Sequence, residues 1–296
     1  MAKTAIPSFN LQSVAQISWV VKDIDKTIEA WSSIYGIGPW KIKEFSSLDR
    51  EGKPRKFRVA VTYIGEMEIE LVQCIEGKML HSHFLDSWGE GVHHIGFEVD
   101  DEEAALKYFE PRGARKLLHV PRNFVYLDAG GHGGAIFEFY RKNDNSKKTS
   151  GKNSIADTAP APFDLKPVYQ ISWAVKHIDE TIEAWSSIYG MGPWTFDENS
   201  GLDVKGRLWK CRMAFAYIGA IQIELVQCVE GRIVQSRFLE IWGEGVHHVG
   251  FQVDDVDATV QHFVSRGAKV VIHDPGYFAY LDAGGPGGAI FEFHRK

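Results

Sequence analysis

Four polar side chains recur at a fixed spacing along this 296-residue chain: Gln16 returns as Gln170, Glu70 as Glu224, His94 as His248 and Glu138 as Glu292, each pair 154 positions apart (170 − 16 = 154). An amide, an imidazole and two carboxylates are groups that hold cations and move protons. A set kept twice within one molecule marks a place where chemistry could be done. The surrounding text repeats in the same register, "QISWVVKDIDKTIEAWSSIYGIGPW" from Gln16 becoming "QISWAVKHIDETIEAWSSIYGMGPW" from Gln170. A repeat this long has the size of a whole domain rather than of a solenoid unit, so the chain is a tandem duplication.

The elements that must position these residues follow from periodicity. "VAQISWVVKD" predicts a strand, followed by a helix with Asp25 at its cap, Ile28, Trp31 and Ile34 on its apolar face and Gly36 at its end. "GVHHIGFEVDD" opens a second, fainter copy of the same plan, with a helix from about Asp101 to Gly113 that buries Ala105, Tyr108 and Phe109. Counting back seven residues from Asp23 gives Gln16, and from Asp101 gives His94, so the two occupy matching points of matching strands. Short β runs follow each helix, "FRVAVTYIG" into "EMEIELVQC" and then "FVYLDAGGHGGAIFEFY", with Gly65 and the glycine cluster at 130–134 at the hairpin turns. The pattern is βαβββ, four times over.

Alternation along the strands sends Ile17, Trp19 and Val21 to one face and Gln16 and Ser18 to the other. Ile69 and Leu71 likewise oppose Glu68 and Glu70; Ile95, Phe97 and Val99 oppose His94; Phe137 and Phe139 oppose Glu138. The apolar faces are expected under the helices and the polar residues on a concave face. His93, next to His94, is expected on the apolar side as a core or edge histidine. Paired aromatics, Trp40/Trp194, Tyr63/Tyr217, Trp88/Trp242 and Tyr126/Tyr280, are expected as walls of a cavity for an apolar or aromatic compound.

Composition narrows the partners. The chain is 44% hydrophobic and 24% charged with net charge −6, enough for two cored domains and unfavourable for nucleic acid or an anionic membrane. No apolar run reaches the roughly 18 residues of a membrane span and "MAKTAIPSFNLQ" is not a signal peptide, so a cytoplasmic location is expected. Cys74, Cys211 and Cys228 are expected as reduced core thiols. The segment from Arg141 to Pro167 is polar, Lys-, Ser- and Pro-rich, and aperiodic. The expected plan is a tail at 1–11, a first domain at 12–142, a linker at 143–166 and a second domain at 167–296.

On "VVKDID", "YGIGPW", "IELVQ", "GEGVHHIGFEVDD" and "GGAIFEF", each half resembles the vicinal oxygen chelate superfamily, the group of glyoxalase I, methylmalonyl-CoA epimerase and the extradiol dioxygenases. The resemblance covers nearly all of both units. It implies an α+β fold in which pairs of βαβββ modules form two cupped mixed sheets, each around one divalent metal held by one residue from each of four strands. By position the ligands would be Gln16, Glu70, His94 and Glu138, and in the second half Gln170, Glu224, His248 and Glu292. That donor set suits Zn²⁺, Co²⁺, Ni²⁺, Mn²⁺ or Fe²⁺ with positions left open for a chelating substrate. It looks like the glyoxalase I set, whereas "GIGPW" and "GEGVHHIGFEVDD" look closer to the epimerases.

The leading expectation is therefore an isomerase or lyase that removes a proton next to a carbonyl through a chelated enolate or enediolate, on a small, partly apolar substrate. Glu138 or Glu292 would be the base, with Glu70 or Glu224 opposite as its partner. The alternatives are an extradiol-type dioxygenase, against which Gln16 and Gln170 stand where a second His is wanted, and a non-catalytic drug-binding protein of the bleomycin-resistance kind. His81, His83 and His132 become Gln235, Arg237 and Pro286, so the two cavities are expected to differ. A duplicated unit supplies both halves of a two-chain assembly, which makes a monomer, or else a homodimer, the expected state.

Overall fold

The computed structural model describes residues 9, 11–49, 51–141, 154–156, 165–283 and 285–296. The first half runs β1 (Gln16–Val20), α1 (Ile24–Tyr35), β2 (Trp40–Leu48), β3 (Pro54–Ile64), β4 (Met67–Glu76), α2 (Leu80–Trp88), β5 (Gly91–Val99), α3 (Glu102–Phe109), β6 (Arg115–Val120), β7 (Phe124–Asp128) and β8 (Ile136–Arg141). A short β9 (Ser154–Ala156) lies within the expected linker and pairs with β2. The second half repeats the plan as β10 (Val168–Ala174), α4 (Ile178–Tyr189), β11 (Thr195–Leu202), β12 (Leu208–Ile218), β13 (Ile221–Glu230), α5 (Val234–Trp242), β14 (Gly245–Val253), α6 (Val256–Val264), β15 (Lys269–Asp274), β16 (Phe278–Asp282) and β17 (Ile290–Arg295). Each half is two βαβββ modules, as expected, and together they build two curled mixed sheets.

The strand orders are β6-β7-β8-β5-β1-β4-β3-β2-β9 and β11-β12-β13-β10-β14-β17-β16-β15. In each, the first strands of the two modules lie side by side and antiparallel, while β1 and β4, like β5 and β8, are parallel. The four strands that carry the polar set are thus neighbours in the order β8-β5-β1-β4.

Helix α1 starts at Asp23, not Asp25: the Asp23 carboxylate accepts from the Lys26 backbone N–H at 3.1 Å. Asp25 instead pairs with Arg58 at 2.6 Å. Ile24, Ile28, Trp31 and Tyr35 follow the 3.6-residue period and are buried. The segment at 80–88 is helix α2. Its apolar residues Leu80, Phe84 and Trp88 are four apart, a helical spacing that its polar surroundings obscure.

The halves share one core. Trp19 meets Trp31 edge-on at 5.2 Å within the first half, and Trp31 then meets Phe291 of the second at 5.4 Å. Tyr35 packs on Phe263 and Phe291, both at 4.9 Å, and its hydroxyl donates to the Asp282 carbonyl at 3.0 Å. The arrangement is reciprocal. Trp185 and Tyr189 of α4 lie on Phe137 at 5.6 and 4.9 Å, and the Tyr189 hydroxyl donates to the Asp128 carbonyl at 2.9 Å. The first helix of each half is therefore clamped between its own sheet and the other half's second module.

Two glycines mark how closely the halves approach. A Cβ on Gly134 would sit 2.1 Å from the Glu244 carbonyl oxygen, and one on Gly288 2.3 Å from that of Glu90; both residues have positive φ. The second Gly-Gly of each hairpin is there for contact between halves as well as for the turn.

Candidate metal centre

Strand alternation delivers the polar set to one face of each sheet, opposite α1 and α3 in the first half and α4 and α6 in the second. In the first half His94 Nε2 lies 3.0 Å from Gln16 Oε1, 3.1 Å from Glu138 Oε2 and 3.8 Å from Glu70 Oε2. In the second, His248 Nε2 lies 3.3 Å from Gln170 Oε1, 3.3 Å from Glu292 Oε2 and 3.5 Å from Glu224 Oε2. All eight sequence-predicted ligands converge, four in each cup.

These donors fit a divalent cation. Each half brings an amide oxygen and two carboxylates to within 3.0 to 3.8 Å of one imidazole nitrogen, and these are donor types that a divalent cation takes. Glu138 is buried and Glu70 half-buried, and among the described residues the His94 imidazole is the partner within ion-pair range of both. No Lys or Arg among those residues neutralises them. Burial pushes the Glu70 carboxyl up to about 7, with Glu138 adding to the rise and His94 opposing it, although the Ser18 hydroxyl donates to Glu70 Oε2 at 2.6 Å. Glu224 is raised by burial too. Crowded carboxylates lacking a protein cation are what an ion would satisfy.

His93 is buried, as a core histidine would be, but the face expected for it is overturned. Ser18 pairs with His94 but Trp19 pairs with Val92, so His93 is the extra residue of a β-bulge, and the same slip leaves His247 unpaired in the second half. The bulge breaks the alternation and turns both imidazoles to one side. His93 Nδ1 approaches His94 Nδ1 at 2.9 Å; the second-half distance is 3.0 Å. For His94 Nε2 to offer a lone pair its Nδ1 must carry the proton, donated to Nδ1 of His93; this tautomer is deduced from the network. Burial holds His93 and His247 neutral, well below the ordinary histidine value.

Helix α2 brings His81 against this pair, its ring 4.1 Å from that of His93, and Phe84 packs on His93 at 5.2 Å. Burial lowers His81 to about 3, and its Nε2 has no protein partner. His81, His93 and His94 bring three ring nitrogens within 4.8 Å of one another. In the second half Gln235 takes the His81 position and is hydrogen-bonded to Tyr280.

The eight aromatics expected as cavity walls divide. Tyr126 and Tyr280 are at the centres, 4.8 and 4.6 Å from the rings of His94 and His248, and burial together with the facing carboxylates holds both phenols protonated. Tyr63 and Tyr217 are exposed but linked to the ligands: Tyr63 donates to Glu68 at 2.6 Å, and Gln222 donates to the Tyr217 oxygen at 2.8 Å. Trp40 is a correction. It is fully buried in the core beside Trp31 at 6.3 Å, its indole N–H donating to the Ile37 carbonyl at 2.9 Å, because the strand turns it to the helix side. Trp194 packs against the same core and donates to Ser186 Oγ at 3.0 Å. Trp88 and Trp242 are half-exposed at the junction where α2 meets α5, each indole near the other half's Gly243 or Gly89.

Sequence reasoning missed His93, His81, Ser18 and Glu68 as neighbours of the ligands. The Ser18–Glu70 and Gln16–Glu68 contacts could have been found from alternation alone, since β4 carries Glu68 and Glu70 on the ligand face. The three thiols are free, but only Cys211 lies in the core, Cys74 and Cys228 being half-buried. No helix among the described residues is long and apolar enough to cross a membrane.

Comparison with known proteins agrees with this architecture. The Glyoxalase/Bleomycin resistance protein/Dioxygenase superfamily model matches twice, at residues 15–128 and 169–282. A 4-hydroxyphenylpyruvate dioxygenase from Pseudomonas aeruginosa is 25% identical over 217 residues, 68% of this chain and 58% of that protein, so the chain spans less than two thirds of its length. A variant of 4-hydroxymandelate synthase from Streptomyces coelicolor superposes with TM-score 0.69 at 16% identity, covering 96% of this chain and 92% of that one. A xylose isomerase-like TIM barrel/4-hydroxyphenylpyruvate dioxygenase fusion protein gives 0.61 at 14% identity, over 98% of this chain and 50% of that one. The twofold match, over well above half of the chain, shows that this protein belongs to the Glyoxalase/Bleomycin resistance protein/Dioxygenase superfamily.

Proposed function

We propose that the chain is a divalent-metal-dependent enzyme that grips a small substrate through two adjacent oxygen atoms, and that its reaction is of the dioxygenase class. The observation that carries the metal reading is the convergence of Gln16, Glu70 and Glu138 on His94 Nε2, repeated in the second half. The choice of reaction leans on the alignment with a dioxygenase over 217 residues, which favours oxygen chemistry over the isomerase or lyase expected from the ligand set. An aryl 2-oxo acid, with ketone and carboxylate oxygens on neighbouring carbons, is the substrate class to try first, and catechols the second.

Gln16, Glu70, His94 and Glu138 would hold the ion. Bound there, it would polarise a chelated carbonyl and, if it is iron, give access to one-electron chemistry with dioxygen. Glu138 lies beside His94 and across the β7–β8 pair from Tyr126, so a carboxylate that accepts a proton faces a phenol that can donate one. His93 keeps the His94 lone pair turned toward the cup, and α2 closes one side with His81 and Phe84. Glu292, Tyr280 and His247 have the same places in the second half.

One observation favours a second reading. Two carboxylates and an amide surround a single imidazole, a set suited to proton abstraction next to a carbonyl, with Glu138 or Glu292 as base and Glu70 or Glu224 opposite. A single design separates the readings. Chelator-stripped protein is loaded with Fe²⁺ without oxygen, given 4-hydroxyphenylpyruvate or a catechol, and exposed to air over an oxygen electrode; a parallel sample with Zn²⁺, Ni²⁺, Co²⁺ or Mn²⁺ is followed for deuterium exchange next to the carbonyl. Oxygen uptake dependent on His94 is the expected result. Exchange without oxygen uptake transfers the case to the isomerase reading, and neither, in protein that retains no metal, leaves sequestration of a small molecule.

A further inference from the structure

The two ligand glutamines are held by different neighbours. Gln16 Oε1 faces His94 while its Nε2 donates to Glu68 Oε1 at 2.7 Å, and the other Glu68 oxygen accepts from the Tyr63 hydroxyl at 2.6 Å. In the second half Gln170 Nε2 donates to Gln222 Oε1 at 2.8 Å, and Gln222 Nε2 donates to the Tyr217 oxygen at 2.8 Å. The positions correspond (222 − 68 = 154), and both are directly paired with the ligand glutamine, Gln16 with Glu68 and Gln170 with Gln222.

The exchange of a carboxylate for an amide has two physical effects. A carboxylate offers only acceptors, so the Gln16 amide must turn its NH₂ to Glu68 and its oxygen to the cup. Gln222 can present either end, and a concerted flip would let Gln170 point NH₂ inward, where it ligates nothing. The second effect is charge. A charged acceptor makes the stronger hydrogen bond and draws electron density toward Gln16 Oε1, and Glu68 adds a negative charge on the strand face that already carries Glu70.

We propose that the two centres hold a divalent metal with different affinities, the first more tightly, and that Glu68 is the positioning residue responsible. This rests on the reading of the four converging residues as ligands. It makes the duplicated chain a pair of unequal sites in which one fills before the other.

The test uses Co²⁺ and the full-length, chelator-stripped protein, followed by calorimetry and visible absorption. Two binding events are expected, the first roughly ten- to a hundredfold tighter, the usual scale for a second layer of hydrogen bonds around a metal. His248→Ala should leave the tighter event and His94→Ala the weaker. Glu68→Gln in the His248→Ala background should weaken binding to the level of the second centre, and Gln222→Glu in the His94→Ala background should tighten it, so that either variant decides the matter if the other folds poorly. Two events of equal affinity, or a Glu68→Gln protein that binds as before, overturn the inference while leaving the centres intact. Failure of the wild-type protein to bind any Co²⁺ overturns the ligand reading and the inference with it.

Discussion

Replacing Glu70 by Gln should make the metal-free protein more stable, and only where Glu70 would otherwise be ionised. Burial raises this carboxyl from 4.5 to about 7. A group whose folded pKa is raised contributes stability fully below its unfolded value and loses it as pH rises through the folded one. At about 1.4 kcal/mol per pKa unit, the ionised carboxylate costs the folded state roughly 3 kcal/mol by pH 8, most of it accruing above pH 5. Gln keeps an oxygen for the Ser18 hydroxyl and carries no charge, so Glu70→Gln escapes this cost. Guanidinium denaturation of EDTA-treated protein should give nearly equal stabilities at pH 4.5 and a variant roughly 3 kcal/mol ahead at pH 8. Saturating Zn²⁺ should then reverse the order, since an ion at a thousand times its Kd stabilises the wild type by about 4 kcal/mol and the variant lacks a ligand. A variant that gains nothing at pH 8, or gains equally at every pH, would refute the claim that Glu70 is held where its charge needs a cation.

Other expectations follow from the same coordinates. His93→Phe should leave the fold intact but lower Co²⁺ affinity at the first centre by roughly ten- to a hundredfold, with long-range ¹⁵N–¹H imidazole spectra showing His94 distributed between tautomers; an unchanged His94 tautomer would argue against the role of the bulge. Gly134→Ala, at φ +59° and 2.1 Å from a carbonyl of the other half, should cost about 3 kcal/mol or more in denaturant, whereas Gly52→Ala, at φ +77° with open space around it, should cost only ~1 kcal/mol. Tyr189→Phe should lose about 1 kcal/mol with its bond to the Asp128 carbonyl, and that loss should appear equally by probes placed in either half.

Much of this was legible in the sequence, for reasons that can be named. A strand period of 2 put Gln16 and Ser18 opposite Ile17 and Trp19, and the offset of 154 doubled every such inference, so the four modules and all eight converging polar residues were legible in the sequence. What failed was whatever breaks the period or crosses the halves. One extra residue in β5 swung His93 to the ligand side, which no alternating pattern can foresee. Trp40 is named by its type as a wall for aromatic substrates, yet the strand after the Gly-Pro turn faces it into the helix layer. The charged and imidazole-rich text around Leu80, Phe84 and Trp88 hid a helix. The clamping of α1 by Phe263 and Phe291 depends on tertiary contacts more than 200 residues apart, which local chemistry leaves open.

That clamping bears on how such a chain can change over generations. Where two identical subunits associate, any substitution lands in both cups at once, and a trial that harms one harms its twin. Here the mutual grip of α1 and α4 keeps the pair assembled while each cup is spelled by its own codons, so Glu68 can stand against Gln222, and His81 against Gln235, without either choice being imposed on the neighbour.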